Sequence, residues 1–126
     1  MDSLYEQKTK VKSLFIDESV LNEIREFMGE EGDATVADLV SIYLRNTPGA
    51  IARISDDLKN NDLEALKSHV HSLKGSSAGA GVVGISTLCR EIEECLHGGQ
   101  IDGIYPRFQR IINVYSSVEK EFQDWK

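Results

Sequence analysis

Residues 63–84 read "LEALKSHVHSLKGSSAGAGVVG", and the fold turns on whether this stretch is a helix or a glycine-rich loop. Two loop patterns can be laid over it. Gly75-Ser76-Ser77-Ala78-Gly79 fits G-x-S-x-G, the turn that exposes a hydrolase serine. Gly79 to Gly84 fits G-x-G-x-x-G, the turn that approaches a dinucleotide pyrophosphate. Both chemistries need a β-strand leading into the glycines and a parallel sheet beneath. No strand precedes them here, because Leu63 to Leu73 repeat with helical period. Lys74-Gly75-Ser76 is also the reverse of the Gly-Lys-Ser order of a phosphate loop.

Placed on a helix at ~100° per residue, Leu63, Leu66, Val70, Leu73, Ser77 and Ala80 share one stripe. That stripe is expected to face a core, with the helix running from a cap at Asp62 to about Ala80 and a turn from Gly81. His71 lies roughly a third of a turn or more from the stripe and is expected in solvent. Lys67, Ser68, Lys74 and Gly75 are its neighbours on the adjoining turns. Gly75 costs the helix ~1 kcal/mol relative to alanine, and it leaves the approach to the imidazole clear. Lys74 sets an ammonium near any anion attached to the ring. Two readings of these residues stay open: a histidine that carries a phosphoryl group, or a plain surface histidine beside a packing glycine.

The same helical period extends outward in both directions. A first helix is expected over about Asp17–Met28, capped by Asp17, with Val20, Leu21, Ile24, Phe27 and Met28 inward and Gly29 and Gly32 ending it. A second runs over about Asp33–Asn60, with Val36, Leu39, Val40, Tyr43 and Leu44 and then Ile51, Ile54 and Leu58 on its apolar face. Pro48 interrupts it, so one kinked helix is favoured over two helices meeting at Thr47. A fourth is expected over about Gly84–Leu96, with Ile85, Leu88, Ile92 and Leu96 inward and His97-Gly98-Gly99 at its end. A fifth, capped by Asp102 and with Pro106 in its first turns, should reach Asp124. It buries Phe108, Ile111, Ile112, Val114, Tyr115, Val118 and Phe122. Short connections make successive helices antiparallel. The expected fold is all-α, an up-down four-helix bundle with an additional short N-terminal helix.

The chain has 126 residues, enough for one domain over residues 1–126, with residues 1–15 as a polar extension or extra helix. A compact fold of this size hides roughly two-thirds of its unfolded surface, so one core suffices. A net charge of −7 argues against a nucleic-acid partner. No apolar run approaches the ~20 residues that a membrane span needs, and Met1 to Lys12 is too polar for a signal peptide. Cys89 and Cys95 have neither metal nor redox-motif spacing and are expected as buried thiols in a reducing cytoplasm. His69 and His71, two apart on a helix, point to nearly opposite sides and cannot chelate one metal.

"HSLKGSSAGAG" resembles the central motif of histidine-containing phosphotransfer (HPt) domains, with His71, Leu73, Lys74, Gly75, Ser76, Ser77 and Gly81 matching. The likeness extends over about Phe15 to Trp125, through "NNDLEALKSHVHSLKG" and "ISTLCREIEECLHGG". It implies a four-helix bundle, in agreement with the independent helix count. It also implies that His71 receives a phosphoryl group from a receiver-domain aspartate and passes it to another receiver. Lys74 would offset phosphoryl charge and Gly75 would permit in-line approach. Asn46 aligns with a polar residue that in the family orients the imidazole's other nitrogen. Ser76 and Lys67 are further candidates for supporting the site, Ser76 by a hydrogen bond and Lys67 by attracting an acidic surface.

The implied partners are receiver domains of response regulators and hybrid kinases, met by a monomer in the cytoplasm, with nuclear access if the source is eukaryotic. No cofactor or metal is expected on this chain, since Mg2+ would come with the receiver. No ATP-dependent kinase activity is expected either. The initiating Met1 and the absence of a linker favour a free-standing protein over an excised domain. The rival function is a helical adaptor that docks receivers without transferring phosphate.

Overall fold

The computed structural model describes residues 13–125; the expected N-terminal extension lies outside them as far as residue 12. The described chain is helical and contains no strand. In order it forms α1 (Glu18–Met28), a 3-10 turn (Gly29–Glu31), α2 (Gly32–Lys59), α3 (Leu63–Gly79), α4 (Val83–His97), a second 3-10 turn (Ile101–Gly103) and α5 (Ile104–Asp124). Helices α2 to α5 make the four-helix bundle, and α1 is the short additional helix packed on α2.

Local chemistry sets most of the boundaries. The Asp17 side chain accepts from the Ser19 N–H at the start of α1, and Asp62 accepts from the Ala65 N–H at the start of α3. Each satisfies a backbone donor that the first helical turn leaves without a partner. Gly29 ends α1 with φ 62. Gly32 does not share that task; it opens α2, where a Cβ would lie 2.4 Å from the Arg25 carbonyl oxygen. Asp102 does not cap α5, because residues 101–103 already form a 3-10 turn and the cap position falls on Gly103.

α2 runs unbroken through Pro48 for 28 residues. Proline has no N–H for the carbonyl four residues back, here that of Leu44. The Tyr115 hydroxyl of α5 donates to that carbonyl at 3.2 Å, so the group that Pro48 leaves free is bonded from the facing helix. The Thr47 hydroxyl donates to the Tyr43 carbonyl at 2.6 Å.

The paired residues fix the direction of packing. Tyr43 meets Ser77 and Asp57 meets His69, so α2 and α3 run antiparallel. The core gathers Leu21, Ile54, Leu66, Val70, Leu73, Ile85, Ile92, Ile104, Ile111 and Val118, all fully buried. Four residues expected inward are instead exposed: Phe27, at 87%, Met28, Leu63 and Ile112. Phe27, Met28 and Leu63 sit in the last or first turns of their helices, where the neighbouring helix no longer covers the stripe. Ile112 lies at its edge beside Ile111.

Ser77 is fully buried, and its hydroxyl is 2.8 Å from that of Tyr43. Burial pushes the Tyr43 phenol up to about 12. It therefore stays a neutral hydrogen-bonding group throughout the physiological range. Tyr43→Phe deprives the Ser77 hydroxyl of this partner and is expected to cost about 1–2 kcal/mol. The measurement is a urea melt, and an unchanged midpoint would show that the bond adds nothing.

Candidate functional site

His71 is in the third turn of α3, with its side chain 71% exposed. Its Nδ1 lies 3.0 Å from Oε2 of Glu93 on α4. The other carboxylate oxygen, Oε1, is 2.6 Å from Nζ of Lys74. One carboxylate thus joins the ring and the ammonium that the helix places three residues apart. Partial burial works to raise the Glu93 carboxyl, but the hydrogen bonds from Lys74 and His71 outweigh it and hold it below the usual carboxylate range. An ionised carboxylate only accepts hydrogen bonds. Nδ1 of His71 therefore carries a proton, and in the neutral ring Nε2 holds the free lone pair. Nε2 has no hydrogen-bond partner among the described residues.

Gly75 lies one turn beyond His71 on the same face. A Cβ built there meets nothing within 4 Å. Nothing in this chain presses on the position, so internal packing gives no reason for a glycine in the middle of α3.

The remaining candidates fall in different places. Asn46 is exposed and lines a groove between α2 and α3 with Ile42, Arg53, Ser76 and Gly79. It is not what bonds Nδ1; Glu93 is. The Ser76 hydroxyl donates to the Leu73 carbonyl of its own helix at 3.3 Å and makes no bond to His71. Lys67 is exposed, one turn before His71, and borders a small cavity with Glu93, Leu96 and His97. The structure therefore brings together His71, Lys74 and Glu93, flanked by Gly75 and Lys67. Ser76 and Asn46 instead line the groove between α2 and α3.

His69 points to the opposite flank of α3 from His71. Its Nδ1 is 2.5 Å from Oδ2 of the buried Asp57 on α2, so it is a structural link between two helices. His97 is the last residue of α4, a basic side chain at the helix C-terminus. Cys89 and Cys95 are free and buried. Burial, and after it the nearby Glu93 carboxylate, push the Cys89 thiol up to about 12, which removes it as a nucleophile at neutral pH. No cluster of histidine, cysteine or carboxylate side chains among the described residues could hold a metal ion. No helix among them is long and apolar enough to cross a membrane.

Glu93 is the site residue that sequence reasoning missed. It sits 22 positions beyond His71, on a different helix, beside the inward Ile92. Nothing in the local run "EIEEC" separates it from Glu91 and Glu94. Only the register of α3 against α4 selects it.

Known proteins agree with this architecture. A histidine-containing phosphotransfer protein of Arabidopsis thaliana, number 2, is 26% identical over 125 residues, 97% of this chain and 76% of that protein. The phosphorelay intermediate protein YPD1 of Candida albicans is 33% identical over 82 residues, 65% of this chain and 44% of that protein. The crystal structure of histidine-containing phosphotransfer protein B from Pseudomonas aeruginosa superposes with a TM-score of 0.79 at 22% identity. It covers 90% of this chain and 95% of that one. The Hpt domain profile matches residues 38–121, from the first turns of α2 almost to the end of α5. The chain is therefore a member of the Hpt domain family, with a histidine-phosphotransfer role in a phosphorelay.

Proposed function

We propose that His71 is the phosphoryl-accepting residue, attacking through Nε2, and that Lys74 and Gly75 serve it by charge and by access. The observation that carries this reading is the empty space at Gly75. A mid-helix glycine at which an added Cβ would meet nothing of its own chain keeps room for something outside the chain. The adjacent ring is solvent-facing, with one nitrogen protonated against Glu93 and the other free.

The donor in this reading is a receiver-domain aspartyl phosphate, and the acceptor is the aspartate of another receiver. In each transfer the nucleophile, phosphorus and leaving oxygen must be in line, and most of the catalysis is positioning and charge. Lys74 is tied to Glu93 in the resting protein. Its ammonium is free to turn to the phosphoryl oxygens once they arrive, the Lys side chain having several rotatable bonds. Lys67 adds a second cation on the approach to the ring. The receiver supplies Mg2+ and the acidic pocket. This chain is then a carrier without ATP-dependent kinase activity, a cytoplasmic monomer that meets receivers in turn.

The direct test is incubation with a phosphorylated receiver domain, followed by mapping of the label. An acid-labile, alkali-stable phosphoryl group on His71 is expected. Absence of label with every receiver that binds would make the protein a docking adaptor instead.

A further inference from the structure

The side of the bundle away from His71 carries an open groove. Helices α2 and α5 are neighbours in the ring of four, yet they touch less than any other neighbouring pair. Tyr43 is level with Ser77 and α3 stops at Gly79, so the first turns of α2 run past the end of α3. Along this stretch α2 and the end of α5 leave a groove of about 540 Å³ between them. Val36, Val40 and Leu44 form one wall, Phe122 and Trp125 the other. The Arg25–Asp33 ion pair, at 3.2 Å, stands at the α1 end. Val40, Leu44 and Trp125 are only partly covered. We propose that residues 1–12 of this same chain lie in that groove.

The first reason is where the chain enters. The Ser13 hydroxyl donates to Oε2 of Glu121 at 2.9 Å. Glu121 precedes Phe122 and stands one turn before Trp125, so the chain ahead of Ser13 starts beside the α5 wall. From Asp33 to Leu44 the groove follows about 17 Å of α2. Twelve residues reach up to about 40 Å, so they can span it.

Charge is the second reason. Residues 17–38 hold eight carboxylates and one arginine, and all eight carboxylates are exposed. Residues 8–12 read "KTKVK", three lysines and no acid. A basic run tethered next to an acidic surface is drawn to it, at an effective concentration far above that of a separate molecule. Leu4, Tyr5 and Val11 supply apolar side chains for the walls to cover. A groove of this size is small beside the ~800 Å² that each partner buries in a stable dimer, which argues against a second copy. The segment then ties α2 to α5 on the face opposite the α3–α4 pair that carries His71 and Glu93, and phosphoryl transfer is left alone.

Trp125 is the chain's one tryptophan and reads the groove directly. Its emission and its quenching by acrylamide are compared in the full wild-type chain, in Leu4→Asp/Val11→Asp, in Lys8→Glu/Lys10→Glu and in a chain beginning at Ser13. A red shift and readier quenching are expected in each variant, together with a lower thermal midpoint. The two double variants carry the test even where the shortened chain does not fold, because they remove no contact among residues 13–125. Unchanged emission and quenching in folded Leu4→Asp/Val11→Asp would overturn the proposal. So would sedimentation showing a dimer whose dissociation, rather than the substitutions, exposes Trp125; the groove would then be an interface between copies. Label uptake on His71 should match wild type in both double variants. A wild-type chain that takes no label there would sink the proposed function and leave this inference standing.

Discussion

Replacing His71 with glutamine is expected to abolish transferable label completely while leaving the bundle intact. The nucleophile is the lone pair on Nε2, and an amide nitrogen offers none of comparable reactivity. The fold should hardly notice. The side chain is 71% exposed, and it is absent from the buried cluster built on Leu66, Val70 and Leu73. What is lost is one hydrogen bond to Glu93 at the edge of α4. Exposed substitutions of this kind usually change stability by less than about 0.5 kcal/mol. The measurement pairs label uptake from a phosphorylated receiver with a urea melt. Label that survives in a folded variant would move the site elsewhere. His97 would then be the first residue to test, because His69 is bonded to the buried Asp57.

Gly75 gives the second large effect, and it separates function from stability in the opposite sense. Gly75→Ala should stabilise α3 by up to ~1 kcal/mol, since alanine restricts the unfolded chain and favours the helix. Its Cβ meets nothing within 4 Å, so no clash offsets the gain. Gly75→Leu should likewise fold, because its side chain has open space to enter. Yet it would stand one turn from the ring, where the receiver must bring phosphorus into line with Nε2. A displacement of about 1 Å in such a geometry costs on the order of 100-fold in rate. The expected pattern is therefore a protein at least as stable as wild type that transfers about 100-fold more slowly. Transfer kinetics and thermal melts on the same preparation test it. A leucine variant with full activity would show that the space at Gly75 is not the receiver's path.

Helical period carried much of the structure into view from the sequence. The stripe Leu66, Val70, Leu73, Ser77 is buried as expected, and His71 lies outside it in solvent. Asp17 and Asp62 cap the helices they were expected to cap. These are short-range properties, set within a turn or two by i,i+4 geometry and by the unpaired N–H groups of a helix start. The exceptions are informative. Phe27, Met28 and Leu63 have apolar side chains at helical spacing, yet they are exposed. Periodicity names a face but not how far along the helix a neighbour covers it. Asp102 failed as a cap because a 3-10 turn begins before it, a choice between two hydrogen-bond registers that differ by one residue.

For this protein the sequence alone determined the helices, the antiparallel order that short turns impose, and the histidine with its Lys74 and Gly75 neighbours on one surface. Only the tertiary structure decided which carboxylate the histidine meets. It also decided that Tyr43 is the partner of Ser77 and that Tyr115 completes the carbonyl left by Pro48. Each of these pairs joins two helices, and its members meet only when the helices have slid and rotated into one register. That register is set by how the buried side chains of the whole core fill their shared volume, which no local pattern of residues contains.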